Sequence, residues 1–215
     1  MILSTQDRLK QYGLEVDSLP EITEIFPIRL RDPGELAERT LALHALLGII
    51  FHPEPREIAE WLRAEDFLRK LTEREQWAFA LTDLPEDEMR WRQTALQSNL
   101  LTWRAESLYV LLWASGRVPS LVDAGERMDG SLVAEHLPAL GRPLQPFIHE
   151  TGLRPEREIL TELHYYFFLN HFMEDVYEQT GEMIGDLEPL LTAERFRALH
   201  WISCADQSEW DADDE

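Results

Sequence analysis

The stretch GELAERTLALHALLGII, residues 34–50, decides the fold class of this chain. It opens after Pro33 and sets Leu36, Leu43, Leu46, Leu47 and Ile50 on one face of a helical wheel, the 3.6-residue repeat of an amphipathic helix. Arg39 falls near the centre of that apolar face. A guanidinium there either snorkels to the edge of the stripe, stem packed and head wet, or needs an acid, because an unpaired charge is costly to bury. Part of the stretch, ERTLALH (38–44), has a near copy far downstream, ERFRALHW (194–201), in which Arg195 shares a face with Leu199 and Ile202.

Outward from this helix the same periodicity continues. EPREIAEWLRAEDFLRKL (54–71) turns Ile58, Trp61 and Leu62 inward. LTEREQWAFALTDL (71–84) opens on Thr72-x-x-Glu75, the pattern of a capping box, and Pro85 closes it. Residues 86–116 are long enough for one extended helix or two, with Gly116 as a C-terminal cap. On that segment Glu106 lies between Trp103, Val110 and Trp113, which makes it the expected partner of Arg39. Arg195 is expected to play a similar part for the last helix.

Between 116 and 154 the pattern breaks: Pro119, Gly125, Gly130, Pro138, Gly141, Pro143, Pro146 and Gly152 punctuate the stretch. It reads as a linker or a loop that shapes a groove, with a short helix over 131–137. Helical pattern resumes over 155–181, with Pro155 at its first turn and Gly181 just past its end, and a last helix starts near Thr192. No stretch alternates as a strand would. The expectation is an all-α fold: a single compact multi-helix domain over 1–205 with an irregular Pro/Gly-rich connection around 116–154, then an acidic, flexible tail over 206–215.

Composition bounds the function. The 215 residues are 44% apolar, with 7 Trp, 9 Phe and 5 Tyr, enough for a packed core. No segment has the roughly 18 consecutive apolar residues of a membrane span or the apolar core of a signal peptide. The single cysteine, Cys204, excludes an intrachain disulfide and fits a cytoplasmic protein. Twenty basic residues against 41 acidic ones give a charge of −21, which argues against nucleic-acid backbones and anionic membranes as partners. Part of the excess lies in the last ten residues, where Asp206, Glu209, Asp211, Asp213, Asp214 and Glu215 stand with no basic residue; Trp210 is the one aromatic among them.

Four blocks, Arg39 in ERTLALHALLG, WRAESLYVLLWASG (103–116), REILTELHYYFFLNHF (157–172) and ERFRALHW, together resemble the uncharacterised bacterial family known as domain of unknown function 4272. The resemblance implies a helical domain with an Arg and Glu set buried between helices, and no activity. In related sequences the third block carries an acid and an arginine where this chain has His164 and Phe168.

That third block holds the strongest chemical constellation. His164, His171, Asp175 and Glu178 fall within roughly 60° of a helix otherwise apolar nearly all round. Two imidazoles and two carboxylates on one line can ligate a metal with help from a second helix, or form a merely polar, solvent-facing stripe. No Gly-rich phosphate loop, GxSxG or HExxH occurs, and no cofactor is implied. His200 stands four residues before Cys204, a spacing that chance supplies. Two functions follow as expectations. The first is a non-enzymatic, acidic protein-binding module of the immunity or antitoxin type, facing a basic partner with help from Asp206, Glu209, Trp210, Asp211, Asp213 and Asp214. The alternative is a helical, metal-assisted enzyme whose site lies on the 155–180 helix beneath the 116–154 loop. Oligomeric state is not legible.

Overall fold

The computed structural model describes residues 3–211. The chain is all-helical: α1 Thr5–Lys10, α2 Ile22–Ile25, α3 Pro33–Phe51, α4 Pro55–Ala64, α5 Glu73–Ala80, α6 Glu86–Gln97, α7 Arg104–Ala114, α8 Gly130–Ala134, α9 Gln145–Glu150, α10 Glu156–Thr180 and α11 Pro189–Ser203. No strand occurs among the described residues. The central element is α3. Asp32 and Glu35 close a capping box at its start, with Pro33 in the first turn, and it is buried on nearly every side. Around it pack α4, α5, α6 and α9, while its remaining face meets α7, which joins it to the pair α10 and α11. At Gly48 a Cβ would come within 3.2 Å of Ile58, so glycine sets how closely α3 and α4 approach.

The capping box of α5 forms with Thr72 and Glu75 in the two roles that the sequence suggests. Residues 86–116 divide into α6, a 3₁₀ turn over Leu100–Trp103 and α7. Asn99 makes the break by accepting from Leu101 N through its side chain, which offers the backbone an alternative to continuing the helix. The last helix begins at Pro189, earlier than Thr192, because proline is favoured in a first turn where no backbone donor is needed.

The 116–154 stretch is neither a linker nor a free loop. Val118, Ala124, Val133, Leu144 and Phe147 are buried in the common core. Its two ends meet at Arg154, whose backbone N donates to Ala114 O and whose guanidinium donates to Trp113 O, Val118 O and Pro119 O, taking up carbonyls at and beyond the end of α7. Further along, Trp61 Nε1 donates to Arg142 O, Glu65 Oε2 accepts from Leu144 N, and His44 Nε2 donates to Pro138 O at 3.2 Å. Side chains of the ordered helices thus satisfy backbone groups that an irregular segment cannot satisfy for itself. Gly/Pro punctuation marks where helices stop, not whether what lies between is packed.

The acidic tail is also packed in part. The segment 29–31 runs beside the end of α11, with Arg29 N donating to Ser203 O, Arg31 N to Ile202 O and Ala205 N to Arg29 O. Beyond it Ser208 is buried and Trp210 only 5% exposed, so the expectation of a flexible tail fails for 206–211. One aromatic with enough area to bury outweighs the polarity of its neighbours. Residues 212–215, including Asp213 and Asp214, lie outside the described residues.

His44 gives the fold a pH dependence. Burial against Trp61 lowers its pKa from the ordinary 6.5, the Pro138 hydrogen bond opposing only part of the shift. The native state therefore holds the ring neutral, while the unfolded chain takes up a proton below pH 6.5. The stability that His44 contributes is complete above that value and is lost as pH falls from 6.5 toward the lower native pKa. His44→Gln keeps a donor for Pro138 O without a titrating ring. In melting-temperature series from pH 7.5 to 5 the variant should fall less steeply than the parent; parallel curves would show that His44 does not sense pH.

Candidate functional site

The buried charges of the sequence lie in two clusters. In the first, Arg195 of α11 is fully buried and all its donors are used. Nε donates to Glu106 Oε2 at 2.9 Å, and Nη2 contacts the same oxygen at 2.8 Å and donates to Glu126 O. Nη1 serves Tyr166 Oη and the carbonyls of Val122 and Asp123. Glu106 Oε1 accepts from Met128 N. Burial pushes the Tyr166 phenol up, against the pull of Arg195, so it remains a neutral acceptor for the guanidinium. Arg195 and Glu106 together thus fix residues 122–128 against α7, α10 and α11.

The neighbouring residues repeat the arrangement in reverse polarity. Arg104 Nη1 donates to both oxygens of Glu194, at 2.8 and 3.1 Å, and Ser107 Oγ donates to Glu194 Oε2 at 2.6 Å. Adjacent Glu194 and Arg195 on α11 are therefore clasped by Arg104 and Glu106 on α7. The upstream Glu-Arg pair does likewise: Glu38 meets Lys70, and Arg39 donates to Glu75 Oε2 at 2.7 Å.

Arg39 does not pair with Glu106. The helical wheel places both side chains inward but cannot say which neighbouring helix each faces, and Glu106 is already taken by Arg195 and Met128 N. The partner of Arg39 is the capping residue Glu75, whose Oε2 also accepts from Thr72 N. The capping pattern explained Glu75 completely and so hid its second role.

The proposed metal stripe is not gathered into a site. His164 Nδ1 lies 2.6 Å from Thr5 Oγ1 and Nε2 3.0 Å from Pro20 O. A carbonyl only accepts, so Nε2 donates to Pro20 O while Nδ1 is held by the Thr5 hydroxyl; both ring nitrogens are engaged. His171 is exposed, with Nε2 3.6 Å from Asp175 Oδ2, and Glu178 is exposed. Among the described residues no group of three His, Cys, Asp or Glu side chains is placed to hold a metal. The segment covering His164 is the N-terminal one, Thr5 to Pro20, whereas residues 122–126 of the central connection lie on Tyr166 and Arg195. The 116–154 connection thus covers the 155–180 helix at Tyr166 and not at His164. Burial pushes the Cys204 thiol up to about 11, the opposite of the lowered pKa of an activated cysteine nucleophile.

The tail residues proposed for partner contact are dispersed. Among the described tail residues, Asp206 pairs with Arg29 at 2.6 Å, Asp211 Oδ1 stands 3.6 Å from Arg104 Nη2, Trp210 is buried and Glu209 is exposed.

A surface the sequence reading missed lies between α5 and α6. Trp77 and Trp91 are 59% and 70% exposed and flank an apolar groove of 330 Å³ floored by Ala78, Leu81, Leu84, Ala95 and Leu96. Its one charged lining residue, Arg92, is paired with Glu88 at 2.9 Å. The available signal is position: neither tryptophan falls with Ala78, Phe79, Met89 and Leu96, the buried apolar residues of these helices.

A family model, described as a domain of unknown function, DUF4272, matches residues 2–212. This chain belongs to the DUF4272 family. No curated protein and no solved structure matches it. In this DUF4272 protein the four sequence blocks are the parts that clasp: WRAES supplies Arg104, Glu106 and Ser107, ERFRALH supplies Glu194 and Arg195, the tyrosine block supplies Tyr166, and ERTLALH supplies Arg39. No helix among the described residues of the DUF4272 chain is long and apolar enough to cross a membrane.

Double-mutant cycles in denaturant unfolding test this pairing. Arg195→Met alone should cost about 3–5 kcal/mol, because it strands Glu106 in the core. Arg195 and Glu106 should couple strongly and Arg39 with Glu75 measurably, whereas Arg39 and Glu106 should be additive within about 0.5 kcal/mol. Strong coupling of Arg39 to Glu106 would contradict the structure. Truncation before Asp206 should lower the melting temperature, since loss of a buried tryptophan side chain costs about 3–5 kcal/mol; an unchanged value would mean that the segment is not docked.

Proposed function

We propose that this protein is a non-enzymatic binding module that captures a basic protein, with the α5–α6 groove as its docking face. The observation that carries the proposal is the exposure of Trp77 and Trp91 on the two sides of an apolar groove. Tryptophan offers a large, rigid contact area and is enriched among the residues that dominate binding energy. Two of them held in water beside an apolar trough are costly unless something covers them.

Charge specifies the occupant. A body at −21 repels acidic proteins and steers basic ones, so the partner fits as a protein with an apolar anchor for the groove and a basic rim around it. The groove itself offers no free charge, since Arg92 is neutralised by Glu88, and its lining favours an apolar anchor over a polar substrate. A cytoplasmic bacterial immunity or antitoxin protein facing a basic toxin is the biological form of this reading.

The test is affinity capture from the native host with the parent chain and with Trp77→Ala/Trp91→Ala, followed by binding kinetics on the recovered partner. Both substitutions are on the surface and should leave the melting temperature unchanged. The partner should be basic, should bind the double variant at least about 30-fold more weakly, as expected for loss of interface anchors, and should associate more slowly as salt rises while dissociation changes little. A partner of acidic character, or equal capture by the two proteins, overturns the reading. So does concentration-dependent self-association that vanishes in the variant, because the groove would then be an interface between copies of this chain.

A further inference from the structure

The end of α10 and the turn that joins it to α11 carry charge of one sign only. Residues 172–193 hold six carboxylates, Glu174, Asp175, Glu178, Glu182, Asp186 and Glu188, and no Lys, Arg or His. Glu174, Glu178, Glu182 and Asp186 are exposed, and none of these four forms an ion pair among the described residues. At the tryptophan groove, by contrast, acid and base interleave, Glu88 with Arg92 and Glu86 with Arg90. The helix itself makes the one-sided placement unfavourable. The last turn of α10 has no basic residue, and Gly181, left-handed at φ 72°, stops the helix there. Its final carbonyls carry negative partial charge, so Glu174 and Glu178, one turn apart, repel both each other and the helix end. A cation brought from outside relieves both repulsions.

Inside this acidic border lies an apolar groove of 440 Å³, between the C-terminal half of α10 and the start of α11. Tyr177, Met183 and Leu190 stand exposed along it and Met173 is its buried part. Glu174 is the one charged lining residue. The lining amide is already satisfied, since Asn170 Nδ2 donates to Tyr166 O at 2.7 Å and Asn170 Oδ1 accepts from the Thr192 hydroxyl at 2.8 Å. The groove therefore asks for apolar side chains within it and positive charge at its edge.

We propose that the α10–α11 groove seats one amphipathic helix of a partner protein, apolar on the face it buries and rich in lysine or arginine along its edges. The apolar face packs on Tyr177, Met183 and Leu190, where the unbranched thioether of methionine adapts to side chains of different shape. The basic edges meet Glu174, Glu178, Glu182 and Asp186 and relieve the end of α10. A helix is the fitting form: no strand among the described residues offers an edge to an extended segment, whereas two packed helices leave a trough for the ridge of a third. A second copy of this chain fits badly, since its own border would set carboxylate against carboxylate. The proposal rests on this groove alone, and it and the tryptophan groove can fail separately.

Titration calorimetry on the full chain with three synthetic peptides of about four helical turns tests it: leucine and lysine with the leucines at helical spacing, the same composition shuffled, and the patterned peptide with glutamate for lysine. The patterned basic peptide should bind at least about tenfold more tightly than the shuffled one, as expected for seating one leucine or more. The glutamate peptide should not bind detectably. Met183→Ser/Leu190→Ser should erase the preference for pattern, and Trp77→Ala/Trp91→Ala should keep it. Glu174→Gln/Glu178→Gln should weaken the patterned peptide about threefold at low salt. Equal affinity for patterned and shuffled peptides would show adsorption to an acidic surface and overturn the proposal. So would a preference that survives Met183→Ser/Leu190→Ser, unchanged affinity in Glu174→Gln/Glu178→Gln, or a dimer of the parent that Met183→Ser/Leu190→Ser abolishes. In the parent protein the patterned peptide should slow amide hydrogen exchange over 173–191 and leave α5 and α6 unchanged. Absence of that protection likewise overturns the proposal, and this measurement decides the matter if a variant does not fold.

Discussion

The double clasp between α7 and α11 is the interaction on which the rest of the fold depends. Two adjacent residues of opposite charge, Glu194 and Arg195, meet Arg104 and Glu106 two positions apart on the facing helix. A buried ion pair need not add stability over an apolar pair of the same shape, but breaking one is costly. The alternating polarity gives this clasp a second property. Sliding or reversing either helix would bring like charges together, so the arrangement selects one register among several that apolar packing alone would allow. The same guanidinium then holds the 122–126 carbonyls, so an irregular segment inherits its position from the helices.

Much of the fold was legible because helical periodicity is a local property. The burial of Leu36, Leu43, Leu46 and Ile50, the capping box at Thr72 and Glu75 and the glycine stop at Gly181 need only near neighbours. Arg39, Glu106 and Arg195 were recognisable as inward-facing charges for the same reason, but a wheel does not separate a buried guanidinium from one whose head reaches water, and all three prove to be buried. Their pairing was not legible. A wheel gives the angle of a side chain about its own axis and nothing about which helix stands opposite.

The less legible parts share one physical cause. The 116–154 connection and residues 206–211 are irregular or acidic, and both are packed because single side chains distant in sequence, Arg195, Trp61 and Arg31, together with Arg154 at the connection's own far end, satisfy their backbone groups. These donors are far away in sequence and leave no mark on the segments they hold. The histidine stripe on α10 fails as a site for a related reason: geometry along one helix lines the groups up, but His164 is drawn to Thr5 and Pro20 while His171 points to solvent. Exposed Trp77 and Trp91 show the converse, since residue type alone assigns tryptophan to a core and only the neighbouring buried positions reveal that these two face outward.

The pairing of Arg29 with the end of α11 bears on how the chain acquires this structure. Arg29 N donates to Ser203 O and Ala205 N to Arg29 O, so residues close to opposite ends of the polypeptide share a short backbone ladder, and Arg39 in the first long helix meets Trp210. Such closures have very large sequence separation, and loop entropy must be lost before they form, which slows folding relative to helical bundles built from near neighbours. During synthesis from the N-terminus, α3 emerges long before α11 and Trp210 exist to cover it. Its apolar surface and Arg39 must then wait on a partial core of α4, α5 and α6 until α11 and Trp210 arrive to complete the cover of α3.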